Sequence, residues 1–399
     1  MPPFASPATS ACPDASPATP SRRILRAEHC RRALRRAAPA LLGYAAVRLL
    51  GILVLARWAH LRGHGLWPQL ADQWDSKWYL GIADHGYDRV LTGARDSCDL
   101  AFFPLYPVLV KAVAGVTPGS RATIGLLISL AASLLAAWGV FAVGDRLYGR
   151  SAGVVLAVLW GSTPVALVQS MGYTESLFTA LAAWSLHAVL TGRWLWAGAL
   201  SLLAGLTRPT GIAVALAVSL AALLTWWRRS GTGRPRVALG ALLAPLGWLG
   251  YLAWVGVRLH RWDGYFAVQR TWTNQLDWGV RTLREMRANL VYQSRPELFL
   301  VLVSVLLIGA VLLFLLSLAQ RQPLPLLIFT GALLLIVLGS GGVYFPRARF
   351  LLPGFPLLLP IAVAVSRATP RTRWLLLSGA ALSSAYFGAY MAIVWPGPP

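Results

Sequence analysis

The sequence predicts an all-α protein that crosses a membrane about eleven times, with a large loop after the first crossing. Two observations carry this. Hydrophobic residues make up 57% of the 399 positions and charged residues only 13%, whereas average soluble domains have about 45–50% apolar and about 25% charged residues. The apolar residues also fall into runs near 41–59, 121–143, 152–170, 174–190, 194–207, 210–227, 237–257, 298–319, 324–343, 350–366 and 374–395. A spanning helix needs about 20 such residues.

Taken in order, residues 1–38 are rich in Pro, Ala, Ser and Thr, then in Arg. They are expected to form a disordered basic cytoplasmic tail, followed by one transmembrane domain over 39–399. No apolar stretch precedes the arginines, so a cleaved signal peptide is not expected. Residues 102–117 are apolar but short, with prolines near their ends and Lys111 inside. If they do not cross, the tail lies on the same side as Arg146, Arg150, Arg193, Arg228, Arg229, Arg234, Arg236, Arg321, Arg367, Arg371 and Arg373. That satisfies the tendency of Lys and Arg to stay cytoplasmic. Residues 60–120 then become one outer module with a juxtamembrane or re-entrant segment, and 258–297 a second long outer loop. The net charge of +22 is thereby topological, and nucleic acid is not an expected partner. Cys12, Cys30 and Cys98 show neither metal spacing nor an evident pairing.

Ionisable residues in a lipid-embedded protein are costly and tend to be functional. The densest group is Asp72-Gln73-Trp74-Asp75-Ser76-Lys77-Trp78-Tyr79, continuing through Asp84 and His85. Asp75, flanked by Trp74, Trp78 and Tyr79 at a lipid boundary, is partly desolvated, which strengthens it as a base toward a hydroxyl proton. Trp faces suit the apolar face of a sugar, so Trp74, Lys77, Trp78 and Tyr79 are the candidate substrate contacts here. Asp72, Asp84 and His85 read as caps, ion pairs and hydrogen bonders.

Glu175, in Tyr173-Thr174-Glu175-Ser176, is either a helix cap or a site residue. Arg208, between Thr207 and Pro209, either snorkels to the interface or holds an anion, and Arg347 and Arg349 pose the same choice. Guanidinium groups suit a lipid phosphate because they bind bidentately and stay charged. The arginines of 258–297 read more readily as a solvated face than as a docking site for anionic headgroups. No metal-binding cluster is evident, and no cofactor or metal is expected.

Trp74-Asp75-x-x-x-Tyr79-x-x-Ile82-Ala83-x-x-Gly86-Tyr87, followed by Phe102-Phe103-Pro104-x-x-Pro107, resembles the PIG-V-like mannosyltransferases. These belong to the GT-C superfamily of multi-span, polyprenyl-phosphate-sugar-dependent glycosyltransferases. Tyr173-Thr174-Glu175-Ser176-Leu177-Phe178 and the Arg208 corner are similar to later motifs of that family, in the same order. The resemblance implies a GT-C-like fold in a bacterial member, with Asp75 as catalytic base at an outer, extracellular active site of the plasma membrane. It also implies a polyprenyl-phosphate-mannose donor, inversion at the sugar carbon, and a lipid or glycan acceptor whose identity does not carry over. One departure is Trp78, at a position where the family often has His, which bears on sugar or acceptor preference. Two other readings remain: the same fold with another polyprenyl-phosphate sugar, or a transporter or flippase for lipid-linked sugars. A transporter would place its charges near mid-membrane in matched halves, and no internal repeat is visible.

Overall fold

The computed structural model describes residues 22–91, 98–228 and 234–398, with 22–30 described by backbone alone. All seventeen α-helices among them run in the order α1 (Arg22–Leu61), α2 (Leu66–Ala71), α3 (Asp75–His85), α4 (Leu105–Ala114), α5 (Arg121–Tyr148), α6 (Arg150–Gly161), α7 (Glu175–Leu190), α8 (Trp194–Gly205), α9 (Gly211–Arg228), α10 (Arg234–Arg258), α11 (Gly264–Thr271), α12 (Val280–Arg287), α13 (Leu298–Ala319), α14 (Leu324–Gly339), α15 (Arg347–Phe350), α16 (Leu359–Arg367) and α17 (Pro370–Ile393). The described residues form no strand beyond one isolated bridge. The chain is a multi-pass membrane protein.

Each of the eleven apolar runs contains a helix. Six helices (α1, α5, α9, α10, α13 and α17) are long and apolar enough to cross unaided. The others are shorter. Helix α6 has 12 residues and rises only about 18 Å. The chain then continues as buried irregular and 3-10 backbone through Ser162–Thr174. Non-helical backbone at membrane depth survives only where protein encloses it. Here Ser162, Gln169 and Ser170 are all buried, and Gln169 Nε2 and the Trp160 carbonyl close one of the bonds at 3.0 Å.

The basic segment expected in a disordered tail is helical from Arg22 and runs into the first span without a break; residues 1–21 lie outside the described residues. Between α1 and α5 the described residues form three short helices, α2, α3 and α4, and α4 has only 10 residues.

Helices α8 and α10 approach closely because small residues face each other. A Cβ on Gly198 would meet the Gly240 carbonyl oxygen at 2.5 Å, and one on Gly247 would come within 2.8 Å of the Leu202 carbonyl carbon. Without a hydrophobic drive between helices in lipid, such close backbone packing supplies the attraction. The same contact fixes the α8–α9 corner that carries Arg208.

Candidate active site

The geometry begins at the start of α3. Trp74 has φ 54°, a left-handed backbone that bulky side chains rarely adopt. This turn starts the helix at Asp75. Ser76 then donates to the Gly172 carbonyl at 3.1 Å, tying α3 to the strap before α7. The strap continues as Tyr173-Thr174-Glu175. Glu175 opens α7, but its carboxylate does not cap the helix; it turns toward Arg208.

Four ionisable groups from four distant segments form one chain of alternating charge. Arg349 Nη2 lies 2.6 Å from Asp75 Oδ2. Its Nε lies 3.8 Å from Glu175 Oε1. The same Glu175 oxygen is 2.6 Å from Arg208 Nη1, which also donates to Thr174 Oγ1 at 3.1 Å. Tyr79 Oη shares that hydroxyl at 3.0 Å. Arg349 further stacks near Tyr173 and Phe350, with its guanidinium carbon 5.2 and 5.3 Å from the ring centroids. The charges cancel pairwise, which is what lets so many buried ions persist.

Accessibility separates their roles. Asp75, Tyr79, Arg208 and Arg349 line a cavity of about 190 Å³, and Glu175 does not. The Asp75 side chain is 24% exposed and that of Glu175 only 1%. Asp75 is thus the carboxylate a substrate can meet, and Glu175 the buried counter-ion that holds two arginines beside the cavity. Arg349 Nη1 is buried without a hydrogen-bond partner among the described residues, so the cavity wall holds an unused cationic donor.

The other sequence candidates lie elsewhere. Arg347, expected at the substrate, does not line the cavity. Its guanidinium donates to the carbonyls of Val337, Ser340 and Gly342 at 3.3, 2.5 and 3.1 Å, and to Thr282 Oγ1. The loop after α14 leaves carbonyls that no helix satisfies, and this arginine is consumed in bonding them. Lys77 is exposed and Trp74 is 40% exposed, both outside the cavity lining. Trp78 stacks on Phe102 with centroids 5.5 Å apart and meets Trp272 edge-on, one layer behind the wall. Asp84 pairs with Arg121.

Several lining residues have no local signal in the sequence. Gln269, Trp272 and Asn274 come from α11 and its exit, in the loop expected to be a solvated face. Trp272 Nε1 donates to the Cys98 carbonyl at 3.0 Å, and Arg258 clasps the carbonyls of Tyr87 and Asp88 at 2.6 and 2.7 Å. This basic loop therefore docks on the segment between α1 and α5 and helps close the cavity.

Asp88, Cys98 and Asp99 place one ligand atom each within 4.8 Å of one another, away from the cavity. Burial pushes the Cys98 thiol up and the Asp99 carboxyl up to about 6, so a metal would have to displace the thiol proton to bind there.

The chain is similar in structure to ArnT from Cupriavidus metallidurans bound to undecaprenyl phosphate, at TM-score 0.55 and 14% identity, over 88% of this chain and 64% of that one. The fold is GT-C-like. The apo form of the same ArnT matches at TM-score 0.53 and 14% identity, over 84% of this chain and 61% of that one. The archaeal oligosaccharyltransferase AglB from Archaeoglobus fulgidus, in complex with an inhibitory peptide and a dolichol-phosphate, matches at TM-score 0.50 and 15% identity, over 89% and 56%. The chain spans less than two thirds of the length of each. No protein-family profile matches it, and no curated protein matches it in sequence.

Proposed function

We propose that this protein is an integral-membrane inverting glycosyltransferase that moves a sugar from a polyprenyl-phosphate donor to an acceptor hydroxyl. Mannose is the sugar, and a lipid or glycan is the acceptor. The carrying observation is the Asp75–Arg349–Glu175–Arg208 chain, with Asp75, Arg349 and Arg208 on the cavity wall and Glu175 behind it. It puts a base and two cations within one small volume. The similarity in fold to a protein bound to undecaprenyl phosphate and to one bound to a dolichol-phosphate supports the donor class, and the resemblance of the Trp74-Asp75 and Phe102-Phe103-Pro104 motifs supports mannose.

The chemistry follows from those groups. The acceptor hydroxyl loses its proton to Asp75 as its oxygen bonds to the anomeric carbon from behind. The bond from that carbon to the phosphate oxygen breaks, and its electron pair leaves with the phosphate. Single displacement with one carboxylate inverts the centre, by the logic of inverting glycosidases. Arg349 and Arg208 stabilise the departing phosphate.

In the substrate-free site Arg349 occupies Asp75 Oδ2 at 2.6 Å. A phosphate oxygen entering beside Arg349 competes for that guanidinium and frees Asp75 for the hydroxyl. Donor binding thereby arms the base. General-base help is worth about 10²–10⁴-fold and charge stabilisation about 10²–10³-fold.

Sidedness follows from the arginines. The cavity lies at the Leu61 end of α1, opposite the basic residues Arg31–Arg36, Arg146, Arg150, Arg367 and Arg373. Lys and Arg favour the cytoplasmic side. The N-terminus is then cytoplasmic and the active site faces outward across the plasma membrane.

The test is product formation by purified protein in lipid, given a membrane extract as acceptor and polyprenyl-phosphate mannose of defined anomeric configuration. The expected result is a mannosylated product of opposite configuration. A retained configuration would overturn single displacement, and transfer only from another polyprenyl-phosphate sugar would overturn mannose.

A further inference from the structure

A second ligand-sized space lies at the opposite end of the helices from the active-site cavity. It is a slot of about 770 Å³ between α1, α6 and α17, within the range of about 300–1,000 Å³ that well-formed ligand pockets occupy. Gly43, Val47, Val154, Val158, Leu377 and Ala381 give it an apolar floor. Val47, Val158 and Ala381 are buried and packed together, so the floor is preformed. Gly43 lets α1 lie close on α6 beside the slot, since a Cβ there would strike Val158 at 2.7 Å.

The mouth has different chemistry. Arg150 and Arg373 line it, with Trp374 beside them. Arg150 is held in place by its Nε bond to the Arg36 carbonyl at 3.2 Å. Arg373 Nη2 bonds the Ser366 carbonyl at 2.5 Å, while its Nε is buried with no hydrogen-bond partner. Neither guanidinium forms an ion pair with a carboxylate among the described residues; Asp145, the nearby acid, is taken by Arg36 at 2.6 Å. Two helices also begin here, α6 at Arg150 without a side-chain cap and α17 at Pro370, where Thr369 Oγ1 already accepts from the Thr372 amide. Helix N-termini favour anions. A slot with an apolar floor, two cations at its mouth and an interfacial Trp is complementary to one kind of molecule, with an acyl tail and an anionic head.

We propose that this slot binds an anionic glycerophospholipid of the leaflet opposite the active site, its phosphodiester on Arg150 and Arg373 and one acyl chain along α1 and α17. The basic residues on that face therefore do more than set topology. The site is separate from the catalytic cavity and does not depend on the sugar-transfer reading.

The experiment is native mass spectrometry of the full chain released from nanodiscs, titrated with phosphatidylglycerol, phosphatidylcholine, diacylglycerol, polyprenyl phosphate or inorganic phosphate. One phosphatidylglycerol should bind per chain in preference to phosphatidylcholine, and inorganic phosphate should not displace it. Arg150→Gln with Arg373→Gln should weaken it roughly tenfold or more, since charge-assisted hydrogen bonds are lost. Ala381→Trp, which fills the floor, should do the same with both arginines intact, while Arg371→Gln should not. Equal retention by the double variant and the wild type would overturn the proposal. So would equal binding of phosphatidylcholine, or a preference for polyprenyl phosphate at this slot. Displacement by inorganic phosphate would show an anion site without an acyl subsite.

Discussion

Replacing Glu175 with Gln probes the site at its most buried charge. The carboxylate is 1% exposed and is shared by Arg208 at 2.6 Å and Arg349 at 3.8 Å. Removing one partner of a buried ion pair costs about 3–5 kcal/mol, because the remaining charge stays buried without compensation. Here two guanidinium groups would be left with Asp75 alone. An unfolding entropy of about 2.1 cal/mol/K per residue over 399 residues is about 0.8 kcal/mol/K. A loss of about 4 kcal/mol then lowers Tm by about 5 °C. The assay is thermal unfolding in one detergent at one concentration, with Arg208→Met and the Glu175→Gln/Arg208→Met pair measured alongside. Removing both charges should recover part of the loss, giving a coupling of about 0.5–3 kcal/mol. Activity should stay low in both single variants and in the pair, since the arginine at the phosphate is then absent or misplaced. A Glu175→Gln protein within 1 °C of wild type, or a double variant no more stable than the sum of the singles predicts, would refute the argument that this carboxylate holds the two cations.

Three further outcomes follow from the structure. Arg347→Met should lower Tm by several degrees through the loss of bonds to the Ser340, Gly342 and Val337 carbonyls, with KM for the donor changed less than for Arg349→Met; a donor defect larger than that of Arg349→Met would return Arg347 to the substrate. Gly247→Ala should force α10 off α8 at the Leu202 carbonyl and cut the yield of folded protein, measured by size-exclusion of the detergent-solubilised chain, whereas Gly250→Ala, which meets nothing within 4 Å, should be neutral. Burial raises the Asp99 carboxyl from 3.8 to about 6, so the folded state binds this proton more tightly than the unfolded one. Stability from this group is full below about pH 4 and lost as pH rises to about 6. Tm scans from pH 4 to 7 should show a shallower fall in Asp99→Asn than in wild type, and equal slopes would contradict it.

The helical framework was legible because lipid demands long apolar runs, and those runs are local in sequence. What was not legible was length. Helix α6 stops at Gly161 and irregular backbone completes the crossing, which only the surrounding helices make tolerable. The charged residues were legible by the same logic of cost: Asp75, Glu175, Arg208 and Arg349 stand out in apolar surroundings, and the fold brings them together. Arg347 stands out equally, yet its partners are backbone carbonyls of a loop whose path no local pattern records. Trp78 likewise reads as a sugar wall from its neighbours, but Phe102 and Trp272 enclose it. Gln269, Trp272 and Asn274 were obscured by the arginines around them. Arg258, Arg261, Arg270 and Arg281 are spent on loop carbonyls and on Asp263, while Gln269, Trp272 and Asn274 turn to the cavity. The cap alternative for Glu175 fails on geometry, since its carboxylate meets Arg208 and not a backbone amide.

Asp75→Asn separates binding from turnover. The substitution keeps the shape of the side chain and removes its charge and basicity, while releasing Arg349 from a 2.6 Å ion pair. Sugar transfer by Asp75→Asn should fall about 10²–10⁴-fold, while polyprenyl phosphate, measured by direct titration into the purified protein, binds at least as tightly as to wild type. Transfer at the wild-type rate would contradict the assignment of Asp75 as the base, and loss of polyprenyl-phosphate binding together with transfer would contradict the division of labour between Asp75 and the two arginines.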